Sequence, residues 1–258
     1  MSKTTRRGYI PRDEKEFVDE YRDKLYKAGE DLLYLLNSGY KIKGASTFVG
    51  NHYLLSERQR LALVRGISKS EDIKNRKSKV VTDSLSGKTI HIDGFNTIIT
   101  LEVALSNSLI IKSMDGTIRD LAGLRGSYSL IDKTDKAIKL IGEKLVEYKV
   151  HKAIFYLDKP VSNSGRLKMK ILELLESLQF EIEVENINNV DSVLETKENV
   201  VSSDAIIIDK CKSWINMNRY IIDDKGLEVN CIDFSKFYFL QGSINVMSEK
   251  YDCSCASQ

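Results

Sequence analysis

Four aspartates in the second part of this chain are the side chains best suited to do chemistry. They are Asp93, Asp158, Asp204 and Asp209, and Asn96 stands three residues after the first. Converging carboxylates repel one another unless a cation neutralises them, and such oxygen ligands favour Mg²⁺ or Mn²⁺. An ion held in this way activates water and stabilises a pentacovalent phosphate, as in nucleases. These residue types therefore predict metal-assisted cleavage of a phosphate ester.

Strands must position these acids. Residues 90–93, 152–158 and 200–201 are rich in β-branched and aromatic side chains and predict strands, each followed by a helical pattern. This alternation favours an α/β fold with a mostly parallel sheet, in which the carboxyl ends of the strands meet at one edge. We therefore expect the first three acids to converge there. Each acid alone also has an explanation as a helix cap or a turn residue.

The rest of this part of the chain continues the alternation. Helices are predicted at 96–106, 133–148, 166–178 and 205–214, and further strands at 109–112, 181–184 and 219–223. Asp209 lies one to two turns into the last of these helices. Gly94 is expected to let the backbone turn sharply after the first strand.

Residues 13–67 predict a small all-α domain that resembles a helix-turn-helix arrangement. Apolar positions recur at the helical period, and Ser56 is placed to cap the last helix. That helix carries Arg58, Arg60 and Arg65. These arginines can contact the phosphates of a nucleic acid, or they can pack against the following domain.

Charge is distributed unevenly along the chain. Residues 1–79 contain 18 Lys and Arg against 11 Asp and Glu, whereas residues 80–258 contain 21 against 26. A basic front and an acidic rear favour a nucleic-acid-facing module joined to one that binds divalent cations, although solvated helix faces also produce such an imbalance. Between them, residues 68–87 combine basic and small polar side chains, which predicts a linker or a basic surface strand.

Three of these segments resemble the PIN-like and NYN ribonuclease superfamily. Residues 92–96, Ile-Asp-Gly-Phe-Asn, resemble the first NYN motif, in which an Asp-Gly-aromatic-Asn element ends the opening strand. Residues 155–158 are similar to the central strand with its terminal acid. Ser203-Asp204, together with Asp209, resembles the late element that completes the acidic pocket.

This resemblance covers about residues 88–225. It implies a three-layer PIN-like domain in which Asp93 binds a metal ion. The whole chain also resembles a prokaryotic family of unknown function that joins a small helical amino-terminal domain to such an α/β part.

The loop after Asp158 departs from the NYN pattern, which has further acids at this point. Here the chain offers Ser162, Ser164 and Arg166, a set of hydroxyls and a cation at the start of the next helix. Backbone donors at a helix start bind phosphate well, so we expect a phosphate-binding loop. A capped turn is the alternative.

Residues 115–128 also depart from an ordinary crossover, because they are rich in glycine and charge. We expect an active-site loop in which Arg119 and Arg125 bind phosphates and Asp120 joins the acids. A charge-paired surface loop fits this composition as well.

Composition excludes several classes of protein. A chain of 258 residues that is 42% hydrophobic and 29% charged is typical of a globular protein with one large or two modest domains. No apolar run approaches the roughly 20 residues that cross a bilayer, and residues 1–12 do not resemble a secretory signal. We therefore expect a cytoplasmic protein with no membrane partner. Cys253 and Cys255 can hold a metal ion or belong to a disordered tail.

The sequence thus predicts four parts. They are a basic helical domain at 1–67, a linker at 68–87, a PIN-like α/β domain at 88–245 and a carboxyl-terminal tail at 246–258. The predicted function is a Mg²⁺- or Mn²⁺-dependent endoribonuclease that binds RNA rather than DNA. A homodimer is left open.

In this hypothesis Asp93, Asp158 and Asp204 are metal ligands, Asp209 is a ligand or an outer partner, and Asn96 is an orienting hydrogen-bond donor. Two alternatives stay open. The protein can be a non-catalytic nucleic-acid or ribonucleoprotein-binding protein with a degenerate PIN-like domain. It can also be a nucleotide-processing phosphotransfer enzyme.

Overall fold

The computed structural model describes residues 5–123 and 126–237. Its amino-terminal part is helical, as predicted. The helices are α1 (Asp13–Glu16), α2 (Asp19–Asn37), α3 (Ile42–His52), α4 (Glu57–Gly66) and α5 (Ser70–Ser78). Ser56 caps α4 in a capping box with Gln59, because each side chain accepts from the other residue's backbone N–H. The predicted tail at 246–258, with its two cysteines, lies outside the described residues.

From residue 89 the chain alternates between strands and helices. The elements are β1 (Thr89–Asp93), α6 (Gly94–Leu105), β2 (Ile110–Lys112), β3 (Ile118–Asp120), α7 (Thr134–Glu147), β4 (Lys152–Asp158), α8 (Ser164–Leu175), β5 (Glu181–Ile187), α9 (Val190–Leu194), β6 (Val200–Val201), α10 (Ala205–Lys210), β7 (Trp214–Ile215), α11 (Met217–Asp224) and β8 (Cys231–Asp233). None of the helices in these ranges or before them is long and apolar enough to span a membrane.

Five strands form a central parallel sheet in the order β5-β4-β1-β6-β7, which confirms the predicted α/β class. Side chains alternate between its two faces. Phe155 and Leu157 pack in a core with α6, α7, α8 and α11, whereas Tyr156 and Trp214 pack on the other face against α9 and α10. Helices therefore cover both faces, and both faces of the strands are apolar.

A second, three-stranded sheet has the order β3-β2-β8 and packs against the amino-terminal helices. Ile111 and Phe234 of this region share one hydrophobic core with Leu25, Leu32 and Leu63 of the helices. The predicted boundary at residue 67 therefore does not separate two independent cores. The helical part completes its core with residues that come much later in the chain.

Three sequence predictions differ from the structure. The predicted linker at 68–87 contains α5, whose Ile73 is fully buried. The predicted strand at 219–223 is part of α11, in which the buried positions Met217, Asn218, Ile221 and Ile222 follow the helical period. The predicted helix at 205–214 ends at Lys210, and Trp214 enters β7.

Candidate active site

Strand-end acids lie at the carboxyl ends of four adjacent parallel strands. Asp93 ends β1, Asp158 ends β4, and Asp204 follows β6. A fourth acid, Asp191, comes shortly after β5 and adds to the predicted set. Because these strands are neighbours in one parallel sheet, their carboxyl ends share an edge. We call these four carboxylates the acidic edge.

Asp93 is the buried member of the acidic edge. It caps α6, where Oδ1 accepts from the backbone N–H of Asn96 at 3.4 Å, and Oδ2 accepts from the hydroxyl of Ser202 at 2.8 Å. Burial, reinforced by the charges of Asp204 and Asp191, raises the pKa of Asp93 to about 7 despite these hydrogen bonds. Asp93 is thus a helix cap, as the alternative interpretation held, and also a carboxylate in an unfavourable electrostatic environment.

Gly94 is required by close packing. A Cβ at this position would lie 2.6 Å from Cδ2 of Leu157 and 3.0 Å from the carbonyl oxygen of Tyr156. Its backbone does not adopt a positive φ angle. The glycine therefore lets α6 begin directly against β4, and a sharp turn is not the reason for it.

Asn96 anchors the loop that carries Asp204. The backbone N–H and the hydroxyl of Ser203 both donate to Oδ1 of Asn96 at 2.9 Å, so Asn96 is an acceptor in these contacts, and its role as a donor through Nδ2 stays a prediction. Asp204 caps α10 by accepting from the N–H of Ile206 at 2.7 Å, and its own N–H donates to Oγ of Ser202 at 3.1 Å. Hydrogen bonds therefore hold each residue of this loop, Ser202, Ser203 and Asp204.

Asp158 and Asp191 form the more accessible side of the acidic edge. Asp158 is half-buried, and burial raises its pKa although the backbone N–H of Val190 donates to it. Asp191 is exposed, and its pKa is raised by partial burial and then by the charges of Asp204 and Asp158. Asp191 lies in the first turn of α9 and not at the end of β5, so the search for acids at strand ends did not find it.

No member of the acidic edge makes an ion pair within 4.0 Å in residues 5–123 and 126–237. The other buried acids of this part of the chain all do so. Their partners are Arg58 for Asp13, Arg7 for Glu102, Arg76 and Arg119 for Asp115, and Arg65 for Asp120. Asp93 is therefore the exception among the buried carboxylates that the structure describes.

The donor chemistry of the acidic edge fits a hard divalent cation. Carboxylate oxygens are the ligands that Mg²⁺ and Mn²⁺ prefer, and uncompensated negative charge around Asp93 favours a cation. The side chains are not gathered into a complete site, however. Among the described residues, no three His, Cys, Asp or Glu side chains are arranged to hold a metal ion.

Asp209 does not join the acidic edge. Its Oδ1 and Oδ2 accept from Nε and Nη2 of Arg76 at 2.6 and 2.9 Å. This bidentate pair connects α10 to α5, so the guanidinium already compensates the charge of Asp209. The sequence could not reveal this partner, which lies 133 residues away.

Asp120 and Arg119, predicted for an active-site loop, are buried in β3. Asp120 accepts from the hydroxyl of Thr100 at 3.0 Å and from the N–H of Ala122 at 2.7 Å. Arg119 donates to backbone carbonyl oxygens and to Asp115, and none of its nitrogens is available to a phosphate. Arg125, the other predicted phosphate ligand of this segment, lies outside the described residues.

The three arginines of α4 also bond within the protein. Arg58 pairs with Asp13 and donates to the carbonyl of Leu121 at 2.8 Å. Arg65 donates to the backbone carbonyl of Asp120. Arg60 donates to several carbonyl oxygens near the end of α3, including that of Gly50 at 2.7 Å. Arg58 and Arg65 thus pack against the following domain, which was the alternative interpretation, whereas Arg60 bonds within the helical part.

The predicted phosphate loop follows Asp158 and includes an exposed arginine. Arg166 is exposed, and its guanidinium has no partner in the ranges that the structure describes. Ser162 is exposed, and its N–H donates to the carbonyl of Gly126 at 3.2 Å. Ser164 is buried and accepts from Asn186 at 3.4 Å, so its hydroxyl serves the fold.

Comparison with known proteins gives a family and one relative. The uncharacterized protein MJ0935 of Methanocaldococcus jannaschii is 43% identical over 184 residues, which are 70% of this chain and 88% of that protein. No solved structure matches the chain. A model described as a protein of unknown function, DUF434, matches residues 24–79. A model described as a domain of unknown function, DUF5616, matches residues 82–220, which is more than half of the chain, and the chain therefore belongs to the DUF5616 family.

Proposed function

We propose that this protein hydrolyses phosphodiester bonds of RNA with the help of Mg²⁺ or Mn²⁺ bound at the acidic edge. One observation carries the proposal: Asp93 is buried beside other carboxylates, with no arginine or lysine paired to it among the described residues. An unpaired buried carboxylate is costly, so it calls for a positive ligand.

Asp93 and Asp204 would hold such a cation, with Asp158 and Asp191 on the accessible side. The bound cation would supply Lewis-acid chemistry, polarising water and neutralising charge on the phosphate. The chain's own residues prepare the site. Asn96 holds the loop of Asp204 against α6 through two hydrogen bonds.

A substrate phosphate would approach from the side of α8. Arg166 is exposed at the start of this helix, shortly after Asp158, and can pair with an anion. The resemblance of residues 92–96 to the first NYN motif supports RNA as the substrate. The choice of RNA over DNA rests on that resemblance alone.

The test is cleavage of labelled single-stranded and structured RNA by the purified full-length protein in Mn²⁺, Mg²⁺ or EDTA. We expect cleavage that requires the metal and falls more than about 100-fold in Asp93→Asn and Asp204→Asn. Asp19→Asn, which changes an exposed acid of α2, is the matched control and should cleave normally. Wild-type protein that leaves every RNA intact would overturn the proposal.

A second candidate is RNA binding without cleavage. It is favoured by one observation, that the described acids are not arranged as a group of three that could hold a metal ion. In that case the protein should bind RNA equally well in EDTA and in Mn²⁺. Metal-independent binding without cleavage would select this second function.

A further inference from the structure

Arg119 is a buried arginine whose hydrogen bonds fix it in three directions. Its Nε donates to the carbonyl oxygen of Ser203 at 2.8 Å, its Nη1 to that of Arg65 at 2.6 Å, and its Nη2 to Oδ2 of Asp115 at 2.7 Å. The first of these acceptors belongs to the loop of the acidic edge. The guanidinium thus contacts the backbone of this loop from the interior of the protein.

A continuous chain of hydrogen bonds runs from this guanidinium to Asp93. The Ser203 carbonyl that Arg119 contacts shares a peptide unit with the N–H of Asp204. That N–H donates to Oγ of Ser202 at 3.1 Å, and the Ser202 hydroxyl donates to Oδ2 of Asp93 at 2.8 Å. Each donor in such a chain polarises the next, so the links strengthen one another.

The Asp115 carboxylate, which accepts from Nη2 of Arg119, is itself held by several hydrogen-bond donors. Oδ2 of Asp115 also accepts from Arg76 at 2.9 Å. Its Oδ1 accepts from the hydroxyl of Ser113 at 2.7 Å and from the N–H and hydroxyl of Thr117 at 3.0 and 2.6 Å. Burial alone would raise the pKa of Asp115, but the two guanidinium groups hold it well below its ordinary value. Arg119 therefore has a fixed anchor from which to orient the loop.

We propose that Arg119 is a positioning residue for Asp93, acting through the Ser203–Asp204 peptide and the Ser202 hydroxyl. It fixes the direction in which the Asp93 carboxylate faces the acidic edge. The consequence for cation binding rests on the proposed function. The orientation of the loop does not.

The test compares Arg119→Met and Arg119→Lys with Arg58→Met and Arg58→Lys in the full chain. Arg58 is the matched control, because it also joins a buried carboxylate to a backbone carbonyl but does not contact the loop. The first measurement is amide hydrogen exchange at Ser203 and Asp204. We expect exchange there to rise about tenfold or more in the Arg119 variants and to stay unchanged in the Arg58 variants.

The second measurement is the affinity for Mn²⁺ alone, in a double-mutant cycle with Ser202→Ala. If Arg119 acts through Ser202, its substitution should weaken Mn²⁺ binding about tenfold in the wild-type background and have little further effect in Ser202→Ala. A purely structural role would weaken binding by the same factor in both backgrounds, and that result would overturn the proposal.

The two measurements separate this inference from the proposed function. If the wild type binds no Mn²⁺, the proposed function loses its metal, and hydrogen exchange alone decides on Arg119. Equal exchange at Asp204 in the Arg119 and Arg58 variants would overturn the positioning role. If Arg119→Met does not fold, Arg119→Lys keeps the charge, loses the forked geometry and gives the same comparison.

Discussion

The acidic edge differs from the interior of the protein in whether the charge of a buried carboxylate is compensated by an arginine. In the interior, Asp115 receives two guanidinium groups and Glu102 receives Arg7. At the acidic edge, the donors to Asp93 among the described residues are a hydroxyl and a backbone N–H. Pairing removes the electrostatic cost of a buried charge, so the interior acids serve the fold. The electrostatic cost that remains at Asp93 favours the binding of a positively charged ligand there.

This contrast gives the two acids opposite effects on stability as pH changes. The pKa of Asp115 is lowered, so its ionised carboxylate stabilises the fold above its ordinary pKa of 3.8, and this stabilisation is lost as the pH falls below that value. The pKa of Asp93 is raised to about 7, so its protonated carboxyl group stabilises the fold below pH 3.8, and this stabilisation is lost as the pH rises through 7. Substitution of each acid by asparagine should therefore act in opposite directions above neutral pH.

The largest effect is expected for Asp115→Asn. Removing this charge leaves Arg76 and Arg119 buried with one carboxylate fewer, which should lower the free energy of unfolding by about 3–5 kcal/mol at pH 7. Urea denaturation measures this change. Asp19→Asn, at an exposed ion pair, should change it by less than about 1 kcal/mol. A loss at Asp115 as small as that of the control would show that the interior pairing is not structural.

The second-largest effect is expected for Asp93→Asn, and it changes the free energy of unfolding in the opposite direction. Without divalent cations, Asp93→Asn should raise the free energy of unfolding by roughly 2–4 kcal/mol at pH 8 and leave it nearly unchanged near pH 4. The reason is that the amide removes the buried charge, while its single acceptor oxygen keeps one of the two hydrogen bonds that the carboxylate accepts. Urea denaturation of both proteins from pH 4 to pH 8 measures the difference. A variant that is less stable than the wild type at pH 8 would contradict the contrast.

The smallest effect concerns RNA affinity and separates exposed from internal arginines. Arg166→Ala should weaken RNA binding several-fold and reduce the salt dependence by about one counterion. Arg60→Ala should lower stability without changing affinity, because its guanidinium bonds to carbonyl oxygens near the end of α3. Fluorescence anisotropy across a salt series checks both variants. Equal losses of affinity would place the internal arginines in the binding surface after all.

The sequence predicted the features that depend on local pattern. The strands that end in Asp93 and Asp158 alternate or concentrate β-branched and aromatic residues, and helices follow them, so the parallel sheet and its edge could be inferred. The segment at 219–223 was predicted wrongly because its two isoleucines favour a strand locally. In the fold they form the buried stripe of α11, and tertiary packing decides.

Partners distant in sequence are what the pattern could not show. Arg76 lies in a stretch that reads as a polar linker, yet it pairs with Asp115 and Asp209. Arg58 reads equally well as a phosphate ligand and as the internal partner of Asp13. Which carboxylates stay unpaired is a property of the whole fold, and this property distinguishes the candidate site.

Calorimetric titration of Mn²⁺ into the metal-free wild type and Asp93→Asn tests the central claim most directly. If the acidic edge is left unpaired in order to bind a cation, the wild type should bind Mn²⁺ at neutral pH, and Asp93→Asn should bind it at least about tenfold more weakly. Asp209→Asn should behave as the wild type, because Asp209 is already paired with Arg76. A wild type that binds no Mn²⁺, or binding that Asp93→Asn leaves unchanged, would contradict the account.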